Sequence, residues 1–455
     1  MKFVYSLNTV SLLKLIASLD RANKRFAVIL DNKDIYHGYI SINQLRRLIV
    51  SGANENDFIS SFNLKNFFFE EEELKNLSGW KKKLTDSTWE FNEPIVIVND
   101  NHKIVKVVTL HELDVRFSKN YNSLKPVIRK KILLIGGGGY LGSILTRKLL
   151  MNGFSVRIFD LFIYGKSHVN KIKDDNLEII HGDIRNIESI SSALVDVDSV
   201  ILLAAVVGDP ASLARPLQTI QTNYLATQVI VSACKFEQIN RFIYASTCSV
   251  YGFSNNLLDE ESPMNPVSLY ARTKISSENT IKNLVNGNFA PTILRMSTLY
   301  GYSPRMRFDL VVNTMTMKAF LDKEILVFGG DQWRPILKVD DAADAYIKVL
   351  DSDINLIKGK IYNVGSEFQN FRIKDIAKIV SKSTNGTKIK TLKSNVDIRD
   401  YKVSFEKIKK ELSFSPELNL EESIHDIYNK LENKTLKNPK DKKYYNHFFD
   451  SSEEI

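Results

Sequence analysis

From Lys131 onward, short unbroken runs of apolar residues recur between longer amphipathic stretches. They read KILLIG (131–136), SVRIFD (155–160), LEIIHGD (177–183), SVILLAA (199–205), RFIYAST (241–247) and PTILRMS (291–297). A strand that is apolar on both faces belongs in a parallel sheet covered on both sides, whereas strict alternation would mark a half-exposed one. The alternation of these runs with helical stretches predicts an α/β domain with a Rossmann-type, doubly wound parallel sheet over residues 131–432. Its smaller substrate-binding part is expected mainly in residues 295–432.

The first 120 residues follow another pattern. FAVILDNKDIYHGYISINQL (26–45) lies over PIVIVNDNHKIVKVVTLHEL (94–113) without a gap, with Val28 on Val96, Ile29 on Ile97, Ser41 on Thr109 and Leu45 on Leu113. Each copy reads strand, Asx-rich turn, strand, then a Ser or Thr opening a helix. Thr109 and Glu112 have capping-box spacing, which needs no ligand. Residues 121–130 mix polar residues with a proline and read as a linker. The polar tail 433–455 reads as a surface extension with no assigned role.

Composition narrows the class. The chain has 455 residues, 44% hydrophobic and 25% charged, enough for two or three domains with cores of their own. Two cysteines, Cys234 and Cys248, exclude a disulfide framework or a cysteine-rich metal centre and fit a reducing compartment. The net charge of +9 is dispersed, which suits an anionic small-molecule substrate. No basic stripe with interleaved aromatics points to nucleic acid. No apolar run approaches the roughly 18–20 residues of a membrane span, and the N-terminus lacks the form of a secretory leader. A cytoplasmic location is the expectation.

Two constellations carry chemistry. In KILLIGGGGYLG a strand passes through glycines into a helix. Gly137-x-Gly139-x-x-Gly142 fits the dinucleotide fingerprint, and Gly136-x-x-Gly139-x-x-Gly142 fits a close variant. Glycines there let backbone N–H groups and a helix N-terminus approach a pyrophosphate. The next strand ends in Asp160, where an acid holds a ribose 2′-hydroxyl and repels a 2′-phosphate, so NAD is favoured over NADP. Asp183 ends another strand and either accepts from the adenine amine or caps the following helix. The second constellation is YASTCSVYG (244–252) followed by SLYARTK (268–274). The first ends a strand where ligands of an open α/β sheet lie. Tyr270 and Lys274 are four apart, on one helix face. Oxidation of a sugar alcohol needs a base for the hydroxyl proton. A phenol near pKa 10 serves only with a cation beside it, which Lys274 supplies, and Thr247 is placed to orient the reacting oxygen.

With GGGGYLG, GDIR, LAAVVGDP, TNYLAT, YASTCSVYG, YARTK, LRMSTLYG, WRPILKVDDAADA and YNVGS in this order, residues 131 to about 430 resemble the extended short-chain dehydrogenases/reductases of the NAD-dependent epimerase/dehydratase family. The resemblance implies bound NAD and a nucleotide-diphosphate sugar as substrate. It makes Tyr270 the acid/base, Lys274 its partner and Thr247 the substrate clamp. It places Gly136, Gly139, Tyr140, Leu141, Gly142, Asp160, Asp183, Ile184, Ala204, Ala205 and Asn223 around the cofactor. It gives Ser249, Asn313, Arg334 and Arg399 to the substrate, with Arg305 and Arg307 also expected to face the anion. The family's 4,6-dehydratases carry an Asp-Glu pair after the clamp threonine. Here Cys248 and Ser249 stand there, which points to an epimerase, with a reductase or dehydratase as the alternative and a non-enzymatic nucleotide-binding scaffold as a third reading.

The N-terminal repeat resembles a tandem cystathionine-β-synthase-type (CBS) pair, a module that often binds adenine nucleotides and associates, so a homodimer is expected. Its nucleotide contacts would be Gly38 and Ser41 in one copy and Thr109 in the other. Gln44 and Glu112 stand where Asp is usual, and Lys106 where Gly is. A structural or pairing role and a regulatory ligand are both open readings.

Overall fold

The computed structural model describes residues 4–22, 26–70, 73, 83, 94–108, 130–286, 289–394 and 397–448. They fall into two compact units, Met1–Lys130 and Lys131–Ile455.

The first unit contains β1 (Val4–Leu7), α1 (Leu12–Ala22), β2 (Phe26–Leu30), β3 (Tyr36–Ser41), α2 (Ile42–Val50), β4 (Phe68–Glu70), β5 (Ile95–Val98) and β6 (Ile104–Val108). Two three-stranded sheets, β1-β2-β3 and β4-β5-β6, each join a parallel pair to an antiparallel hairpin. The internal repeat reappears as register. Val28 faces Tyr39 and Val96 faces Val107, with a bulge at Ile29/Leu30 in one hairpin and at Ile97/Val98 in the other. The turns repeat too. Asp31 Oδ1 accepts from the N–H groups of Lys33 and Ile35, and Asn99 Oδ1 from those of Asn101 and Lys103. A Cβ on Gly38 would lie 2.8 Å from both Leu64 Cβ and Lys65 O, so packing alone requires glycine there. Ser41 and Gln44 form a reciprocal capping box at 2.8 and 3.1 Å. The Thr109–Glu112 box and the linker 121–129 lie outside the described residues.

The second unit is built on a seven-stranded sheet. Its strands are β7 (Lys131–Ile135), β8 (Ser155–Asp160), β9 (Leu177–His181), β10 (Ser199–Leu202), β11 (Arg241–Thr247), β13 (Ala290–Met296) and β17 (Ile361–Val364). The spatial order is β17-β13-β11-β10-β7-β8-β9 and every pairing is parallel. All six apolar runs are strands of this sheet. The seventh, IYNV, is only four residues long, too short to announce itself by periodicity. The progression of strand order reverses between β7 and β10, so a crevice opens beyond Ile135 and Leu202, where such sheets bind ligands. Helices α3 (Tyr140–Met151) and α6 (Val339–Asp351) cover one face through Leu145, Leu149 and Tyr346, and α4 (Ala226–Phe236) covers the other through Ile230, Val231 and Cys234. Helix α5 (Leu269–Asn283) lies between α4 and α6 in sequence and carries Tyr270 and Lys274.

Smaller sheets complete this unit. They pair β12 (Phe253–Leu258) with β20 (Asp400–Val403), join β14 (Thr298–Tyr300), β16 (Trp333–Lys338) and β18 (Asn370–Arg372), and pair β15 (Glu324–Phe328) with β19 (Lys388–Leu392). The tail departs from the surface extension that its polar composition indicated. Residues 433–448 fold back, burying Leu436 and Tyr444. The Phe308 N–H donates to Tyr444 O at 3.0 Å, and the two rings meet edge-on at 5.4 Å. A few apolar side chains spaced among lysines suffice to dock it.

Candidate active site

The glycine turn follows from steric necessity. Gly136 has φ +93°, and a Cβ on it would lie 2.6 Å from Ala204 N. A Cβ on Gly142 would lie 2.2 Å from Gly136 O, so the first turn of α3 closes on the loop only because position 142 has no side chain. The space so kept open belongs to a cavity of about 670 Å³ lined by Gly136, Gly138, Gly139, Leu141, Asp160 and Ala204 among others. Asp160 accepts from the N–H groups of Gly138 (2.9 Å) and Phe162 (2.6 Å). Burial raises its carboxyl pKa, and these two donors act against that rise. Asp183, Ile184 and Ala205 line the same cavity; Asp183 is paired with Arg185. A cradle of glycines backed by an acid at the next strand end fits a dinucleotide.

Asn223 stands behind this wall, almost fully buried, in a π-helical turn. Its side chain accepts from Val206 N–H (2.7 Å) and donates to Val206 O (3.0 Å), and its carbonyl accepts from Ser277 Oγ on α5 (2.8 Å). It therefore ties the cofactor wall to the helix carrying Tyr270. Tyr140 also acts as a tie. Its buried hydroxyl donates to Gly301 O at 2.6 Å.

The catalytic constellation converges at the end of β11. Thr247, Ser249, Tyr270 and Lys274 all line the cavity. Burial pushes the Tyr270 phenol up; the Arg307 guanidinium and a hydrogen bond with Thr247 oppose this, and Asp209 reinforces it. Lys274 donates to Ala245 O at 2.8 Å and lies 5.9 Å from the centre of the Tyr270 ring. Burial pulls its ammonium down to about 7, with Glu278 acting the other way. Below pH 7 the folded chain thus holds a buried cation at a cost of several kcal/mol, which falls away as pH rises from about 7 towards 10. Lys274→Met is expected to stabilise the protein by roughly 2–3 kcal/mol at pH 6 after losing the bond to Ala245. The gain should shrink by pH 9 in denaturant titrations, while activity collapses. A destabilised variant at pH 6 would contradict this.

One end of the cavity is basic. Arg334 and Arg399 meet at Asp397, and Arg399 also pairs with Asp209 at 3.1 Å. These two guanidinium groups hold the Asp397 carboxyl far below its usual range despite its burial. Arg334 Nη2 lies 2.8 Å from Asp397, an ion pair without hydrogen-bond geometry. Arg305 and Arg307 line the cavity. Asn313 does not. It is fully buried, bonded to Gly301 N, Tyr140 Oη and Arg307 O, and it holds the loop rather than a ligand. Sequence reasoning missed Asp209, Arg215, Asp309, Asp397 and Asn446, all of which line the cavity. Asp397 and Asp309 each stand two residues from an arginine already singled out, the only local signal they carried.

A doubly wound sheet with a glycine cradle, an acid at the second strand end and a Thr-Tyr-Lys cluster defines a dinucleotide-dependent enzyme of the short-chain dehydrogenase type. The family described as NAD dependent epimerase/dehydratase matches residues 132–365, more than half of the chain, and the chain belongs to it. A UDP-N-acetyl-alpha-D-glucosaminuronate decarboxylase of Bacillus cytotoxicus is 29% identical over 57% of this chain and 82% of its own length. A UDP-glucose 4-epimerase of Lactobacillus helveticus is 26% identical over 55% of this chain and 82% of its own. The solved UDP-glucuronic acid 4-epimerase of Bacillus cereus, in complex with UDP-glucuronic acid and NAD, superposes with a TM-score of 0.61 at 28% identity, covering 67% of this chain and 99% of that one. Among the described residues no group of acidic, His or Cys side chains could hold a metal ion, and no helix is long and apolar enough to cross a membrane.

Proposed function

We propose that the second unit is an NAD-dependent nucleotide-sugar epimerase. The observation that carries this is the convergence of Thr247, Tyr270 and Lys274 with the glycine cradle and the Arg334–Arg399 pair in one cavity. NAD, when bound against Gly136–Leu141 and Asp160, supplies the hydride acceptor. Arg334 and Arg399 hold the diphosphate by charge-assisted hydrogen bonds. Thr247 Oγ1 orients a sugar hydroxyl, and Tyr270 Oη takes its proton and later returns it. Lys274 and Arg307 supply the positive field that this phenol needs. Elimination chemistry has less support. Of the two residues after Thr247, the buried Cys248 thiol, its pKa pushed up by burial, donates to Arg295 O at 3.2 Å, and Ser249 is no acid. We further propose that the N-terminal repeat is CBS-like and pairs two chains, with Gly38, Ser41 and Gln44 already committed to local structure and an adenine nucleotide correspondingly disfavoured.

Native mass spectrometry of protein purified without added cofactor is expected to show retained NAD, as in-place recycling requires. Incubation with UDP-glucose, UDP-N-acetylglucosamine and UDP-glucuronic acid should give one product of unchanged mass. Loss of water or carbon dioxide, or gain of two hydrogens, would replace the epimerase reading by an elimination, decarboxylation or reduction.

A further inference from the structure

The tail enters the cavity that this function uses. Asn446 lines it and is 7% exposed. Its Oδ1 accepts from Arg305 Nη2 at 2.6 Å, its carbonyl from Arg215 Nη2 at 2.8 Å, and its N–H donates to Asp309 Oδ2 at 3.3 Å. Its amide Nδ2 donates to Val207 O at 3.4 Å. One residue near the chain end therefore bridges two opposite walls, the segment after β10 and the loop before Asn313. It lies outside the span 132–365 that defines the family.

Arg305 is the member of this group with capacity to spare. It is 5% exposed, lies flat on Tyr164 with 3.7 Å between its guanidinium carbon and the ring centre, and lines the cavity. Its buried Nε–H has no hydrogen-bond partner, and no carboxylate pairs with it among the described residues. Burial and the adjacent Arg307 pull its guanidinium down to about 10. The charges of Asp309 and Asp160 act on it without pairing directly, and a buried cation so placed is costly unless an anion completes the site. The fork geometry of arginine matches phosphate oxygens.

We propose that the C-terminal segment Leu436–Phe448 is a working wall of the ligand cavity, in which Asn446 is a positioning residue that aims the Arg305 guanidinium at a phosphate of the bound ligand. With Nη2 held by Asn446 and one face held by Tyr164, the Nε–H is the donor left without a hydrogen-bond partner. Two ligands of the proposed reaction carry a pyrophosphate, the dinucleotide and the nucleotide sugar. The inference rests on that reading of the cavity, and the test separates the two.

Calorimetric binding of NAD and of UDP to the full chain, first stripped of any retained cofactor, is the measurement. Wild-type protein that bound neither would sink the reading of the cavity itself. Given wild-type binding, Asn446→Ala is expected to weaken one of the two probes about tenfold, and the affected probe identifies the pyrophosphate. Arg305→Gln should weaken the same probe at least as much, and the double variant should be no worse than Arg305→Gln alone. Asn446→Asp keeps an acceptor but gives Arg305 a carboxylate partner that competes with a phosphate, so it should weaken the same probe as Asn446→Ala. Unchanged binding of both probes in Asn446→Ala, or effects that add in full, would overturn the proposal. Arg305→Gln leaves the tail intact, so loss of its probe binding remains readable even where Asn446→Ala lowers the melting temperature.

Discussion

Tyr270→Phe is expected to lower turnover of the nucleotide sugar by about three orders of magnitude, within the range that a positioned acid/base contributes. The fold and the bound NAD should survive. The change removes one oxygen from a ring whose packing on α5 is otherwise unaltered. The hydroxyl's polar neighbour is Thr247, which keeps its own bond to Ser249 N–H at 3.1 Å. Burial raises the phenol pKa, so Tyr270 is a proton donor at rest and becomes a base only under added positive charge. Arg307 is already in place for this, held two-pronged by Asp309 at 2.9 Å. Product formation followed by mass or chromatography, beside a melting curve, decides the matter. Turnover within tenfold of wild type would remove Tyr270 from the chemistry. Equal loss of activity and of NAD would make it a binding residue instead.

The parts of this site that the sequence announced are those where local geometry leaves little choice of residue. A turn whose Cβ positions collide with backbone at 2.2 and 2.6 Å admits only glycine, so the cradle is written in the residues themselves. Tyr270 and Lys274 share a helix face by spacing alone. Most strands of the main sheet declared themselves because burial on both sides disfavours polar residues, although the edge strand β9 is largely exposed. Asn313 shows the opposite case. A polar residue close to arginines looks the same in sequence whether it meets substrate or, as here, fills three backbone and side-chain bonds of a loop. Asn446 lies 141 residues from Arg305 in the chain, and nothing local marks it. Its role comes only from tertiary folding of a segment whose composition reads as solvated. The N-terminal repeat was legible for the same reason as the strands, since two hairpins with one register need one pattern of apolar positions.

Arg295→Met should cost the second unit about 3–5 kcal/mol, the usual consequence of stripping one partner from a buried ion pair. Arg295 on β13 and Glu278 on α5 are 2% and 1% exposed and meet at 2.8 Å. Arg295 also donates to Tyr251 Oη at 2.9 Å, while Glu278 accepts from Ser246 Oγ. The pair thus fastens α5 to the strand end that presents Thr247. Methionine fills much of the arginine's volume, so the loss comes from electrostatics. Glu278 would keep the Ser246 hydroxyl but lose the guanidinium, leaving a buried charge without its ion-pair partner. Replacing both partners, as Arg295→Met with Glu278→Leu, removes the stranded charge and should recover most of the stability. Activity should not recover with it, because Glu278 lies one turn beyond Lys274 on the same face and is the carboxylate that resists the fall in the lysine's pKa. Without it the ammonium is driven lower still, and the positive field that Tyr270 needs is lost. Urea titrations of the three proteins at pH 5 and 8, with turnover at both, test the argument. A single variant within 1 kcal/mol of wild type at pH 8, or a double variant with full activity, would show that this pair neither holds the helix nor tunes the lysine.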